Sequence, residues 1–350
     1  MTDTPQLDDD LLPGERPTLK TISRITGLAV ATVSRALNDA PDISADTKKR
    51  VRECADRIDY LPNRAGVRLR TGKTNVISLI VSTEHDIMNH TARLLSSIAG
   101  GLRNTPYHLV VTPFFPDEDP MRPVRYVVET GSADAIILNQ TEPDDPRVAY
   151  LMKKGFPFVT HGQTNWSASH PYCDFDNRTF AELGIEALAR RGRKCVLVVA
   201  PPPYHFYGKE ILDGTKTASE RLGLTRLVLQ DVTTDSSIKD VGTSVRAALN
   251  AHPEIDAILC GSTNATVAAI GGAEAVGRVL GVDFDVFSKE ATTFLNIFRS
   301  QVLVVSEDVG ATGASLARAA LQAIDHPSRA PIQELAVPTF NDPLFAAKPA

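Results

Sequence analysis

Apolar residues follow two different periods along this chain. Near the N-terminus they recur every three or four positions in short blocks. Leu19, Ile22 and Ile25 share one face of a segment that Thr18 can cap and Gly27 can end. Val33 and Leu37 mark a second helix over 30–38, and Val51, Ala55 and Ile58 a longer third helix opened by Ser44 as N-cap. Two short helices joined by a tight glycine turn make a helix-turn-helix, whose second helix is shaped to enter a major groove. From Asn75 the pattern changes to short continuous apolar runs: VISLIVS (76–82), YHLVVTPF (107–114), DAIILN (134–139), FPFVTHG (156–162), KCVLVVA (194–200), RLVLQDV (226–232), DAILCGS (256–262), DFDVFS (283–288) and QVLVVSED (301–308). Helical spacing fills intervening segments such as 91–103, 179–191, 238–251 and 311–324.

Apolar runs between helices predict strands buried on both faces, hence parallel sheets in βαβ units. Nine strands form two smaller sheets more readily than one, because a single core rarely grows beyond about 250–300 residues. Ligands of open α/β sheets bind at the carboxyl ends of the strands. Candidate contacts are therefore Thr83, Glu84, Asn139, His161, Tyr204, His205, Ser262, Thr263, Lys289 and Glu307.

Charge sharpens this division. The chain carries a net charge of −5, yet residues 16–73 hold 13 Lys/Arg against 6 Asp/Glu, and residues from 76 onward hold 24 against 31. A basic head on an acidic body suggests a polyanion-binding module joined to something else. Hydrophobic residues at 43% and charged residues at 23% are ordinary for a globular protein, and no apolar run approaches the roughly 18 residues of a membrane span. The acidic opening MTDTPQLDDDLLPGE has neither the basic start nor the apolar core of a secretory signal. Cys54, Cys173, Cys195 and Cys260 are widely separated, which disfavours a disulfide framework or a zinc site. These features together predict a cytoplasmic protein without metal or cofactor, with His85, His90 and His205 as surface or pocket-lining groups.

Three motifs carry a family resemblance. Gly27-Leu-Ala-Val-Ala-Thr-Val-Ser-Arg-Ala-Leu-Asn38, Ser44-Ala-Asp-Thr-Lys-Lys-Arg-Val51 and Tyr60-Leu-Pro-Asn-Arg-Ala65 with Leu69 resemble, in order and spacing, the LacI/GalR family of bacterial transcriptional regulators. The resemblance implies an all-α helix-turn-helix head and an α/β periplasmic-binding-protein-like body of two doubly wound parallel-sheet lobes. It implies a tail over 1–15, the head over 16–61, a hinge helix and linker over 62–74, the body over 75–340 and a tail over 341–350. Lobe one would take 75–174 and 306–326, and lobe two 175–305 and 327–340, with Asp174-Phe-Asp-Asn177 at the crossover. Implied partners are palindromic operator DNA, a sugar or sugar derivative as effector, and a second copy of the chain.

In that setting Val30, Ala31 and Arg35 would face base edges, with arginine reading guanine and small apolar groups meeting a thymine methyl. Thr32 and Ser34 would bond phosphates or bases, and Thr18, Asn38, Tyr60, Asn63, Arg64 and Arg68 complete the expected DNA contacts. Residues 63–70 are too few to be helical alone in water and would order only in pairs against DNA, with Leu69 wedged into the minor groove. The family usually has Ser where Ala29 stands, as N-cap of the recognition helix. Residues 341–350 (NDPLFAAKPA) carry two prolines and no heptad pattern, so a dimer rather than a tetramer is expected.

The expected effector contacts also depart from the common sugar pattern. His161 stands where Asp is usual, Ser262-Thr263 replaces Asn-Asp, and Lys289 takes a place where Asp is frequent. Ile211 replaces an Arg ahead of Gly214, with Lys209 nearby. Two readings stay open: an anionic sugar held by Lys289 and His161, or a neutral glycoside with Lys289 neutralised by Glu290 or Glu307. Trp166 either covers the ligand or packs on the surface. The expected function is a repressor of a carbohydrate operon released by its ligand, with a corepressor geometry or a sugar-responsive activator as alternatives. An enzyme is disfavoured because His161, Asp176 and Glu307 come without any catalytic signature. A transport-type solute-binding protein is disfavoured by the basic head.

Overall fold

The computed structural model describes residues 11, 15–61, 68, 72–83 and 88–341. The chain divides into two compact units, one up to Thr74 and one from Asn75 onward. The first contains α1 (Leu19–Thr26), α2 (Val30–Leu37) and α3 (Ala45–Arg57). Local chemistry fixes their ends. The Thr18 hydroxyl accepts the Thr21 N–H at 3.2 Å, and the Thr21 hydroxyl accepts the Thr18 N–H at 3.2 Å, a reciprocal cap on α1. Gly27 closes that helix at φ 70°, a left-handed conformation that costs glycine nothing. Ser44 accepts the Thr47 N–H at the start of α3. Ile22, Val33, Ala36, Val51, Cys54, Ala55 and Ile58 form the core, while Leu37 stays half-buried at its margin.

The weak point is α2. Ala29 has the extended backbone of an N-cap, φ −61° and ψ 144°, but supplies no side-chain acceptor. Ala29→Ser is expected to raise the stability of the head by about 1 kcal/mol without altering base preference. Thermal unfolding checks the first half. A changed consensus in a binding-site selection would overturn the second.

The body holds two all-parallel sheets. The first comprises β1 (Val76–Ser82), β2 (His108–Phe114), β3 (Ala135–Leu138), β4 (Phe158–His161), β5 (Tyr172–Phe175) and β11 (Gln333–Ala336), in the order β11-β5-β4-β3-β1-β2. The second comprises β6 (Cys195–Val199), β7 (Thr225–Val228), β8 (Ala257–Cys260), β9 (Asp285–Glu290) and β10 (Leu303–Ser306), in the order β10-β9-β8-β6-β7. Helices follow as α4 (Met88–Gly101), α5 (Met121–Thr130), α6 (Pro146–Lys154), α7 (Asn177–Arg190), α8 (Phe206–Leu222), α9 (Ile238–Ala251), α10 (Thr263–Glu274), the short α11 (Leu295–Phe298) and α12 (Val309–Asp325).

Alternate residues of one strand enter different cores. Ile77 and Leu79 pack with Leu94 and Ile98 of α4 and Leu316 and Ala320 of α12, whereas Ile80 joins Val124 of α5 and Val148 of α6. In the second sheet Leu197 and Val199 pack toward α9 and α10, and Val196 and Val198 toward α7 and α8. Helices α4 and α12 meet closely because Gly313 lacks a side chain: a Cβ there would lie 2.4 Å from that of Ser97.

Among the described residues eleven strands stand where nine apolar runs predicted nine. The two additions, YCDF and QELA, are four residues each; β5 is buried but interrupted by Asp174, and β11 is largely exposed at a sheet edge, so neither shows as a continuous apolar run. Placing 327–340 in the second lobe requires correction, since β11 pairs with β5 in the first sheet. Only Phe340, beyond it, reaches the second core, its ring 5.0 Å from that of Phe287. The chain passes from the first sheet to the second between β5 and α7, and returns between β10 and α12.

Candidate functional site

In the head, α2 turns Val33 and Ala36 inward and leaves Val30, Ala31 and Arg35 exposed, with Thr32 and Ser34 half-buried beside them. Arg35 forms an exposed ion pair with Asp42. Three expected contacts also have structural work. The Thr18 hydroxyl caps α1, the Asn38 amide donates to the Ser34 carbonyl at 2.6 Å, and Tyr60 packs against the head core. Arg68 is exposed, and Asn63, Arg64 and Leu69 lie outside the described residues.

The body contains a cavity of about 500 Å³ lined from both sheets. Of the strand-end residues expected to contact a ligand, Asn139, His161, Ser262, Thr263, Lys289 and Glu307 line it. Of the other described residues expected to contact a ligand, five lie away from its lining. Thr83 is exposed, its N–H donating to the Phe114 carbonyl at 3.0 Å. Trp166 packs on the cluster of Val124 and Leu151. Lys209 points along its own helix to Asp213 at 2.8 Å. His205 is buried at the start of α8, stacked on Tyr207. Tyr207, one half-turn further, lines the cavity instead. Glu84 lies outside the described residues, and Tyr204 is exposed.

Sequence reasoning missed Gln140, Asp174, Asn177, Asp235 and Phe294 as lining groups, and gave His90 only as a surface or pocket-lining group without naming it as a ligand contact. Only Asp174 and Asn177 carried a signal, as the ends of the crossover motif.

A polar chain runs through this cleft. The Lys289 ammonium donates to Asn177 Oδ1 at 2.9 Å and to Glu307 Oε2 at 3.3 Å, and lies 5.0 Å from the Phe175 ring centre. Glu307 Oε1 is 3.3 Å from His90 Nε2, and the His90 and His161 rings stack in parallel at 5.4 Å. Burial would raise the Glu307 carboxyl, but the charge of Lys289 and the bond from His90 hold it well below the usual carboxylate range. Glu290 is spent elsewhere, accepting the N–H groups of Phe294 and Leu295.

His161 has a fixed tautomer. Asn139 Oδ1 already accepts the Gln140 N–H at 2.9 Å, so the His161 Nδ1 contact at 3.1 Å needs the proton on Nδ1. That leaves Nε2 as a lone-pair acceptor. Burial, helped by the charges on His90 and Lys289, lowers the imidazole to about 3, so it is neutral at physiological pH. Asp174 is pushed up to about 7 by burial, against the N–H groups of Phe175 and Gln163 that favour its charged form.

Behind the cleft wall, Arg147 and Asp145 form a buried pair, Nη2 to Oδ2 at 2.6 Å and Nε to Oδ1 at 3.0 Å. The same guanidinium donates to the carbonyl of Gln140 at 2.8 Å, so it supports the loop that carries Asn139. His205 is held down to about 4 by burial and by the charge on Arg147, and its Nδ1 has no hydrogen-bond partner among the described residues. Below its ordinary value of 6.5 the unfolded chain takes up a proton that the folded one refuses until about 4. Stability therefore falls over that window as pH drops, by at most about 1.4 kcal/mol per pH unit from this group. His205→Gln is expected to remove that slope, so the variant gains on the parent between pH 6.5 and 4 in urea unfolding. Parallel pH profiles would show that His205 charges freely in the fold.

The comparisons with known proteins agree with this architecture. Residues 18–63 match the model of bacterial regulatory proteins of the lacI family, and residues 92–338 that of periplasmic binding proteins and the sugar binding domain of LacI family. The chain belongs to the lacI family. AglR of Rhizobium meliloti (strain 1021), an HTH-type transcriptional regulator, is 27% identical over 326 residues, covering 91% of this chain and 90% of its own. A lac repressor dimer bound to operator and the anti-inducer ONPF shares the fold with a TM-score of 0.82 at 17% identity, covering 94% of this chain and 98% of its own. A CelR–cellobiose complex does so at 0.68 and 20%, covering 93% and 99%. This lacI-family member is thus a helix-turn-helix transcriptional regulator with a sugar-binding type of body, and not an enzyme. Among the described residues no helix is long and apolar enough to cross a membrane.

Proposed function

We propose that two copies of this chain grip a palindromic operator through Val30, Ala31 and Arg35, and that a neutral sugar or glycoside in the body cleft releases them. The protein would then act in the cytoplasm as a repressor of a carbohydrate uptake or catabolism operon. The exposed face of α2 supports the DNA reading. Its apolar and arginine side chains stand clear of the head core, on the helix that enters a groove in this motif.

The ligand class rests on one observation, the double engagement of Lys289 by Glu307 and Asn177. A cation already neutralised is a poor anchor for a uronate or sugar phosphate. His161, neutral with a lone pair on Nε2, accepts from a hydroxyl and gives an anion nothing. Asn139 from the first sheet and Ser262 and Thr263 from the second add uncharged donors and acceptors to the lining. Closing the lobes on such a ligand needs to shift operator affinity by only about 5–150-fold, the usual scale of coupling between sites.

The test is a mobility-shift assay on inverted repeats from the DNA upstream of the gene, with neutral glycosides and uronates added in turn. Specific binding released by a neutral glycoside is the expected result. Equal affinity for random duplex overturns the regulator reading, and release by uronates alone overturns the neutral ligand. Tightening on sugar addition would make the ligand a corepressor. Asn139→Ala is expected to weaken glycoside binding at least tenfold, measured by calorimetry, while operator affinity without ligand stays unchanged.

A further inference from the structure

The cleft brings together three groups that are far apart in the chain and that no motif would connect. His90 comes from α4, His161 from the end of β4 and Glu307 from the loop after β10. One nitrogen of each imidazole and one oxygen of Glu307 all lie within 4.8 Å of one another. We propose that His90, His161 and Glu307 form a binding site for a late first-row divalent cation such as Zn²⁺, Co²⁺ or Ni²⁺, inside the same cavity, where the ion competes with a sugar hydroxyl for the His161 Nε2 lone pair.

The geometry is close to what such an ion requires. Ligand bonds of about 2.0–2.1 Å in a tetrahedron place neighbouring donor atoms about 3.3 Å apart. His90 Nε2 and Glu307 Oε1 are already 3.3 Å apart. The third donor stands at most 4.8 Å from the others, so side-chain rotation has about 1.5 Å to close. The donor set also has suitable chemistry, two imidazoles and one carboxylate, with the fourth position left to water or ligand.

Support for the ligands is built in as well. Asn139 Oδ1 accepts from His161 Nδ1, the arrangement by which metal-binding histidines are oriented and kept in one tautomer. Glu307 divides its oxygens, Oε2 toward Lys289 and Oε1 toward His90. The ion would take Oε1 and displace the His90 bond. Lys289 opposes the ion by charge, which makes the site weaker than a structural zinc centre and suited to reversible occupancy. Carboxylates in the cavity lining, Asp174 and Asp235, act in the other direction.

The experiment uses the full-length, metal-stripped protein titrated with Co²⁺. Visible absorption reports tetrahedral coordination, and Zn²⁺ competition and calorimetry give the stoichiometry. One ion per chain is expected, with affinity falling at least tenfold in both His90→Gln and His161→Gln. Lys289→Gln is expected to tighten Co²⁺ severalfold by removing the repulsion. Its thermal unfolding, with and without Co²⁺, verifies that the variant folds. Binding that survives both histidine substitutions would assign the ion to exposed sites such as His252 and Glu254, and would overturn the proposal. So would the absence of binding by a parent protein that still binds operator.

Discussion

Raising salt from 50 to 200 mM is expected to lower operator affinity by about a thousandfold or more. A protein that neutralises six or more phosphates releases that many counterions, so affinity falls as a steep power of salt concentration. Each copy carries 13 Lys/Arg between residues 16 and 73, and a dimer doubles that supply. Several are engaged in the free head: Arg24 with Glu15, Arg35 with Asp42, and Lys48 and Arg52 with Asp39. Each pair has at least one exposed partner, with only Lys48 and Glu15 half-buried, and so contributes little, which lets phosphates replace the carboxylates at small cost. Fluorescence anisotropy across a salt series measures the slope. Arg52→Ala is expected to flatten it while preserving base preference, whereas Arg35→Ala is expected to relax specificity at one position of each half-site. A slope near zero would remove the electrostatic account of the head.

The second large effect is on stability. Replacing Arg147 by Ala is expected to cost about 3–5 kcal/mol, because it leaves the Asp145 carboxylate buried without its cation. Asp145 is completely enclosed and Arg147 nearly so. Desolvation alone would raise the Asp145 carboxyl, but the hydrogen bonds and charge of Arg147 bring it below the usual carboxylate value. The pair's contribution is accordingly present above the unfolded value of 3.8 and lost as pH falls through the lower folded one. Removing both charges should hurt far less: Asp145→Leu with Arg147→Met is expected to recover most of the loss in urea unfolding. Equal destabilisation by the single and double changes would place the cost in the carbonyl contacts of Arg147 to Asn139 and Gln140 instead.

Much of the fold was legible because its signals are local. Thr18, Gly27 and Ser44 mark helix ends through bonds to residues three or four positions away, which a linear reading can find. Apolar runs marked the buried strands for the same reason. The topological rule for strand ends groups Asn139, His161, Lys289 and Glu307, and all four line the cavity.

The same rule could not reach His90 on a helix, or Tyr207 and Asp235, which depend on how α8 and the loop before α9 fall against the strands. It also drew in Thr83 and His205, which stand near strand ends in sequence but turn to other partners. Strand β11 is an edge strand whose side chains largely meet solvent, and β5 beside it is buried but interrupted by Asp174, so no apolar run announced either.

The sequence by itself determined that a basic three-helix head precedes a parallel α/β body, because periodicity, capping and charge act over a few residues. Only the tertiary structure decided which groups face each other in the cleft. The pairing of Lys289 with Glu307 depends on β9 and β10 lying side by side, in the register that sets Val305 against Lys289. The neutrality of His161 depends on enclosure by elements distant in the chain, since desolvation is a property of the surroundings and not of the residue.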